Sequence, residues 1–130
     1  MVSTTTRQGS AHRTHRGMVV VVDDDPDLRA ELEAVLTDAG YLVLVARDGE
    51  EALCRMRGLV KGVLAIVDLS MPGMDGRALI ASMRADPDLR EIPVVVVTGS
   101  LSPVPGVEHL LRKPFEPEAL LARVEELLGR

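Results

Sequence analysis

The stretch MVVVVDDDPDLRAELEAVLTDAGYLVLVA (18–46) decides the fold of this 130-residue chain. Its first five residues are a β-branched run with no polar alternation, the pattern of a strand covered on both faces. Asp25 then supplies a helix N-cap and Pro26 a first helical position, where a missing N–H costs nothing. Leu28, Leu32, Val35 and Leu36 recur at helical spacing until Gly40 closes the segment, and YLVLVA (41–46) returns to strand. One strand, one helix and a second apolar strand form a parallel crossover unit.

The same alternation continues outward. A helix through Ala52, Leu53 and Met56 (49–57) leads to the strand VLAIVD (63–68), and the loop SMPGMDG (70–76) leads to a helix carrying Leu79, Ile80 and Met83. IPVVVVT (92–98) and HLLR (109–112) read as two further strands. A last helix starts near Pro117 and displays Leu120, Leu121, Val124, Leu127 and Leu128. The pattern predicts an α/β fold, a doubly wound, five-stranded parallel sheet with helices on both faces; a flavodoxin-like arrangement would give it strand order 2-1-3-4-5.

Composition bounds the function. Hydrophobic residues are 46% and charged residues 27%, enough for one aliphatic core, while aromatics are only 2%, which argues against stacking on single-stranded nucleic acid. A lone cysteine, Cys54, excludes an internal disulfide and a cysteine-based zinc site, and suits a cytoplasmic location. Set between Leu53 and Met56, Cys54 is expected to be partly buried. No apolar run approaches the roughly 20 residues of a bilayer-spanning helix, so no membrane partner is expected. Residues 1–17 hold three arginines and no acid, and their polar, aperiodic composition reads as a disordered basic leader. Residues 18–130 are the folded domain. That domain is more acidic than the whole chain's net charge of −5, which disfavours direct DNA binding.

Open parallel sheets bind ligands beyond the carboxyl ends of their strands. Those ends carry Asp23 and Asp24, Asp68, Thr98 and Lys113. Capping explains Asp25 but not an acid closing the third strand. With the first and third strands adjacent, Asp23, Asp24 and Asp68 converge, and their repulsion calls for a cation; hard oxygen ligands favour Mg²⁺, with Mn²⁺ an acceptable substitute. Lys113, one of two lysines among the 15 basic residues, lies between an apolar strand and Pro114-Phe115. Its ammonium and the Thr98 hydroxyl suit phosphoryl oxygens, and a carboxylate nucleophile needs no general base.

In these segments the chain resembles the receiver domain of two-component response regulators, over about residues 18–129. VVVVDDDPDLR (19–29) is similar to its first strand and acidic pair, VDLSMPGMDG (67–76) to its phosphoacceptor loop, PVVVVTG (93–99) to its threonine strand and RKPF (112–115) to its Lys-Pro motif. The resemblance implies that Asp68 accepts the phosphoryl group and that Asp23, Asp24, Asp68 and the Ser70 carbonyl hold the metal. It also implies that Thr98 and Lys113 bind the transferred group, that the Lys113–Pro114 bond is cis, and that a phosphohistidine on a sensor kinase or phosphotransfer protein is the donor. Signal would pass to a downstream protein, with no separate substrate turned over beyond self-phosphorylation and slow self-dephosphorylation. A Mg²⁺-dependent phosphatase-like hydrolase is the first alternative, but Ser70 stands where such an enzyme needs a second acid. The second is a receiver-like interaction module without phosphorylation, though acceptor and lysine are both present.

Two features depart from the family. GSLSPVPGVE (99–108) fills the interval between Thr98 and Lys113 where a helix is usual, and Pro103 and Pro105 leave that helix missing or cut to about one turn. Leu110 stands where an aromatic often relays the threonine's state. Output through another surface, or service as a phosphate relay, is therefore expected.

Overall fold

A computed structural model describes residues 16–59, 62–69, 75–99, 107 and 109–129. Strand β1 (Met18–Val22) leads through α1 (Pro26–Asp38) to β2 (Leu42–Ala46). Helix α2 (Gly49–Met56) precedes β3 (Val63–Asp68), and α3 (Gly76–Ala85) precedes β4 (Val94–Thr98). Strand β5 (His109–Arg112) and α4 (Pro117–Leu128) complete the order. All pairings are parallel, as the alternation implied, and the sheet order is β2-β1-β3-β4-β5, the flavodoxin-like order expected.

Period-two alternation divides each central strand between two cores. Val20, Val22, Ala65, Val67, Val94 and Val96 face α2 and α3, meeting Ala52, Met56, Leu79 and Met83. Val19, Val21, Leu64, Ile66, Val95 and Val97 face α1 and α4, meeting Leu32, Leu36, Leu120 and Val124. Because both faces are covered, the valine runs need no polar alternation. The order reverses between β1 and β3: the chain first winds outward to β2, then crosses back to lay β3 on the other side of β1.

Helix α1 begins where the sequence placed it. The Asp25 carboxylate accepts from the Asp27 and Leu28 amides, with Pro26 in the first turn. Tyr41 falls just outside β2 but is buried in the α1/α4 core, and β4 starts two residues later than the apolar run suggested. Cys54 is exposed rather than partly buried, because the inward stripe of α2 is Gly49, Ala52, Leu53 and Met56, and position 54 turns away from it.

Arg16 and Gly17, read as part of the leader, are held against the fold. The Arg16 amide donates to Gly40 O at 3.0 Å, and the Leu42 amide donates to Gly17 O at 2.9 Å. The Arg16 guanidinium lies 5.2 Å from the Tyr41 ring centre and pairs with Glu125 at 3.1 Å. The expected loss of a helix between β4 and β5 falls mainly on residues 100–106 and 108, which lie outside the described residues. The ten positions between Thr98 and His109 are the space open to it, and four helices occur among the described residues. None of these is long and apolar enough to cross a membrane.

Candidate functional site

Sheet register brings the strand-end residues together. Val22 pairs with Val67, so the next residues, Asp23 and Asp68, emerge side by side from the switch point. Asp68 is in register with Val97, and Thr98 with Arg112. The Lys113 amide donates to Thr98 O at 2.8 Å, extending the ladder one residue past β5. Sheet pairing therefore fixes the backbone at each of these positions before any side chain acts.

The site is polar inside an apolar fold. Asp23, Asp68 and Thr98 are the buried polar or charged residues of the described chain, at 2%, 6% and 3% exposure. Asp24, on the turn, is exposed. One carboxylate oxygen from each of Asp23, Asp24 and Asp68 lies within 4.8 Å of the others. Lys113 Nζ stands 3.6 Å from Asp68 Oδ1 and 3.9 Å from Asp23 Oδ2, bridging two of the three acids. The Lys113–Pro114 peptide bond is cis.

Asp23 is the most constrained of the acids. Its Oδ1 accepts the Asp25 amide at 2.9 Å, and its backbone carbonyl accepts from Arg29 Nη1 at 2.7 Å. Burial pushes its carboxyl up from 3.8 to about 6; the negative charges of Asp68 and Asp24 push the same way, while the Asp25 amide and the Lys113 ammonium pull it down. The Asp25 amide and Lys113 therefore compensate the ionised form of this buried acid only in part, and a group of three such carboxylates could hold a metal ion.

Arg29 was not singled out from the sequence. It sits one helical turn past the Asp25 cap, and nothing in a lone helix-surface arginine signals that it reaches back to the β1–α1 turn. Ser70 lies outside the described residues. Leu110 is half-buried and packs on the α2/α3 core together with Val107. Asp23, Asp24, Asp68, Thr98 and Lys113 all lie at the C-terminal edge of the sheet.

This arrangement on a 2-1-3-4-5 sheet coincides with a known family: the profile of the response regulator receiver domain matches residues 19–125. The chain belongs to that family. It is therefore a receiver domain of two-component signalling. Among its relatives, the DNA-binding response regulator MtrA of Mycolicibacterium smegmatis is 36% identical over 124 residues, covering 90% of this chain and 53% of MtrA. The receiver thus spans about half the length of the curated relatives it matches. Among solved structures, the chemotaxis protein CheY4 of Vibrio cholerae superimposes with a TM-score of 0.79 at 32% identity, covering 86% of this chain and 98% of CheY4. A CheY-like receiver domain protein from Methanospirillum hungatei gives 0.78 at 28% identity, covering 88% and 96%.

Proposed function

We propose that this receiver takes a phosphoryl group onto Asp68 from a phosphohistidine of a sensor kinase or histidine phosphotransfer protein, with Mg²⁺ as cofactor, and passes the signal to a downstream protein. The observation that carries this reading is the convergence of three carboxylates and one ammonium at the β1/β3 switch point, two of the acids being buried.

The donor set fits a small hard dication: three carboxylate oxygens close to one another, with no sulfur or imidazole among them. Asp23, Asp24, Asp68 and the Ser70 carbonyl would hold Mg²⁺ or Mn²⁺, which when bound offsets negative charge on the transferred group. An Asp68 carboxylate oxygen attacks phosphorus as the P–N bond to the donor imidazole breaks. The bonding pair stays with that nitrogen, which takes up a proton. Because the nucleophile is already an anion, no general base is required. Lys113 pairs its ammonium with one phosphoryl oxygen and Thr98 donates to another, spreading the charge of the transition state. Water later cleaves the acyl phosphate, so no separate substrate turns over.

A groove of about 510 Å³ runs beside Lys113, lined by Leu28, Leu32, Val35 and Phe115. It gives a donor protein an apolar footing beside Lys113, whose ammonium pairs with Asp68. We assign residues 16–130 to the receiver, because Arg16 and Gly17 are bonded to it, and 1–15 to a basic leader, and place the protein in the cytoplasm. DNA contact, which MtrA's name attributes to MtrA, is assigned to no surface of this acidic domain. Output runs through a surface other than a helix between β4 and β5, or the domain relays phosphate onward.

Intact-mass analysis after incubation with Mg²⁺ and acetyl phosphate tests the reading. Wild type gains one phosphoryl group and Asp68→Asn gains none; equal labelling of both moves the acceptor elsewhere and refutes it.

A further inference from the structure

Helix α3 opens on Gly76, directly after the Asp75 cap whose carboxylate accepts the Ala78 amide at 2.9 Å. Gly76 is absent from the glycines with positive φ, so its backbone admits an ordinary L residue. Helix propensity by itself favours alanine there. Space does not. A Cβ on Gly76 would lie 2.5 Å from the Asp68 carbonyl oxygen, 2.7 Å from Leu69 Cα and 3.1 Å from the Asp68 carbonyl carbon. Non-bonded carbons rest about 3.5–4.0 Å apart, so relief requires a displacement of about 1 Å.

Neither side can give way by a rotamer change, because all three atoms are backbone. The end of β3 is pinned by the Leu69 amide donating to Val97 O at 3.3 Å, and the Gly76 amide donates back to Leu69 O at 3.2 Å. On the other side, α3 is anchored by Leu79, Ile80 and Met83, all buried in the core. The missing side chain therefore sets how closely α3 approaches the residue that bears the third carboxylate.

We propose that Gly76 is a positioning residue for Asp68: by carrying no Cβ it lets α3 seat against the β3 carbonyl end and holds the Asp68 carboxylate in register with Asp23 and Asp24. The proposal rests on the phosphoacceptor reading above. Mg²⁺ tolerates little departure from its ligand geometry, and a nucleophile misplaced by about 1 Å loses on the order of 100-fold in rate.

The test compares wild type, Gly76→Ala, Gly76→Ser and Leu36→Val as full chains. Mg²⁺ affinity is measured by calorimetry, and labelling by acetyl phosphate at saturating Mg²⁺ by intact mass. Both Gly76 variants, which add the same carbon, stay folded at 25 °C, bind Mg²⁺ at least fivefold more weakly and label about 100-fold more slowly. Leu36→Val removes a methylene from the α1/α4 core; it lowers the urea midpoint yet leaves Mg²⁺ affinity unchanged, separating lost stability from lost positioning. A Gly76→Ala chain with less than a fivefold change in Mg²⁺ affinity overturns the proposal, as does one unfolded at 25 °C. A wild type that takes up neither Mg²⁺ nor phosphoryl group overturns the underlying reading instead.

Discussion

The proposed Mg²⁺ site would owe to Asp23 a pH dependence that an ordinary aspartate would not confer. Its carboxyl is pushed from 3.8 to about 6, chiefly by burial. A metal that needs the carboxylate competes with that proton. For one competing proton at about 6, apparent Mg²⁺ affinity falls about tenfold between pH 7 and pH 5, whereas a proton at 3.8 changes it by only about 6%. Titration calorimetry at pH 7, 6 and 5, in two buffers of different ionisation enthalpy, measures both the affinity and the protons released. About half a proton should leave per ion bound at pH 6. The same group acts on stability with a definite sign. In the folded chain it holds its proton more tightly than when unfolded, so below about pH 4 it costs nothing. As pH rises towards 6 the buried carboxylate ionises, and above that the full cost of about 3 kcal/mol is present. Without metal, wild type should therefore lose stability relative to Asp23→Asn between pH 4 and pH 7, by up to about 3 kcal/mol in urea unfolding. An affinity constant within twofold from pH 7 to 5, with parallel stability profiles of the two proteins, would refute the reasoning.

Two further substitutions probe single interactions. Lys113→Ala removes the ammonium 3.6 Å from Asp68. With about 1 kcal/mol of screened attraction gone, Mg²⁺ should bind about fivefold tighter in calorimetry, while labelling of Asp68 by acetyl phosphate slows by about 100-fold. Asp25→Ala deletes the cap that accepts two amides of α1; urea unfolding should show a loss of about 1 kcal/mol with an unchanged slope.

Much of this molecule was legible in its residues. The β-branched runs read as buried strands, and with Asp25-Pro26 starting one helix and Pro117 another, the alternation called for a parallel sheet covered on both faces. Asp23, Asp68 and Lys113 were visible because each follows or ends a strand with a charge that capping does not explain, and Asp24 because it adjoins Asp23 in the same acidic run. Arg29 was invisible, since a single arginine on a helix surface carries no periodic or spacing signal. Cys54 is exposed although Leu53 and Met56 flank it, because helical phase and not the neighbouring residue types decides which way a side chain points.

Residue type and periodicity alone determined the α/β class and the set of charged strand ends, because those follow from local hydrogen bonding and from which side chains must leave water; the strand order came from the resemblance to a known family, and the folded chain bears it out. Distances came only with the folded chain: the 4.8 Å grouping of the acids, the reach of Arg29 to the Asp23 carbonyl and the contact of Gly76 with the Asp68 backbone. Such quantities depend on how far one element slides against another, and that is settled by packing among residues remote in the chain.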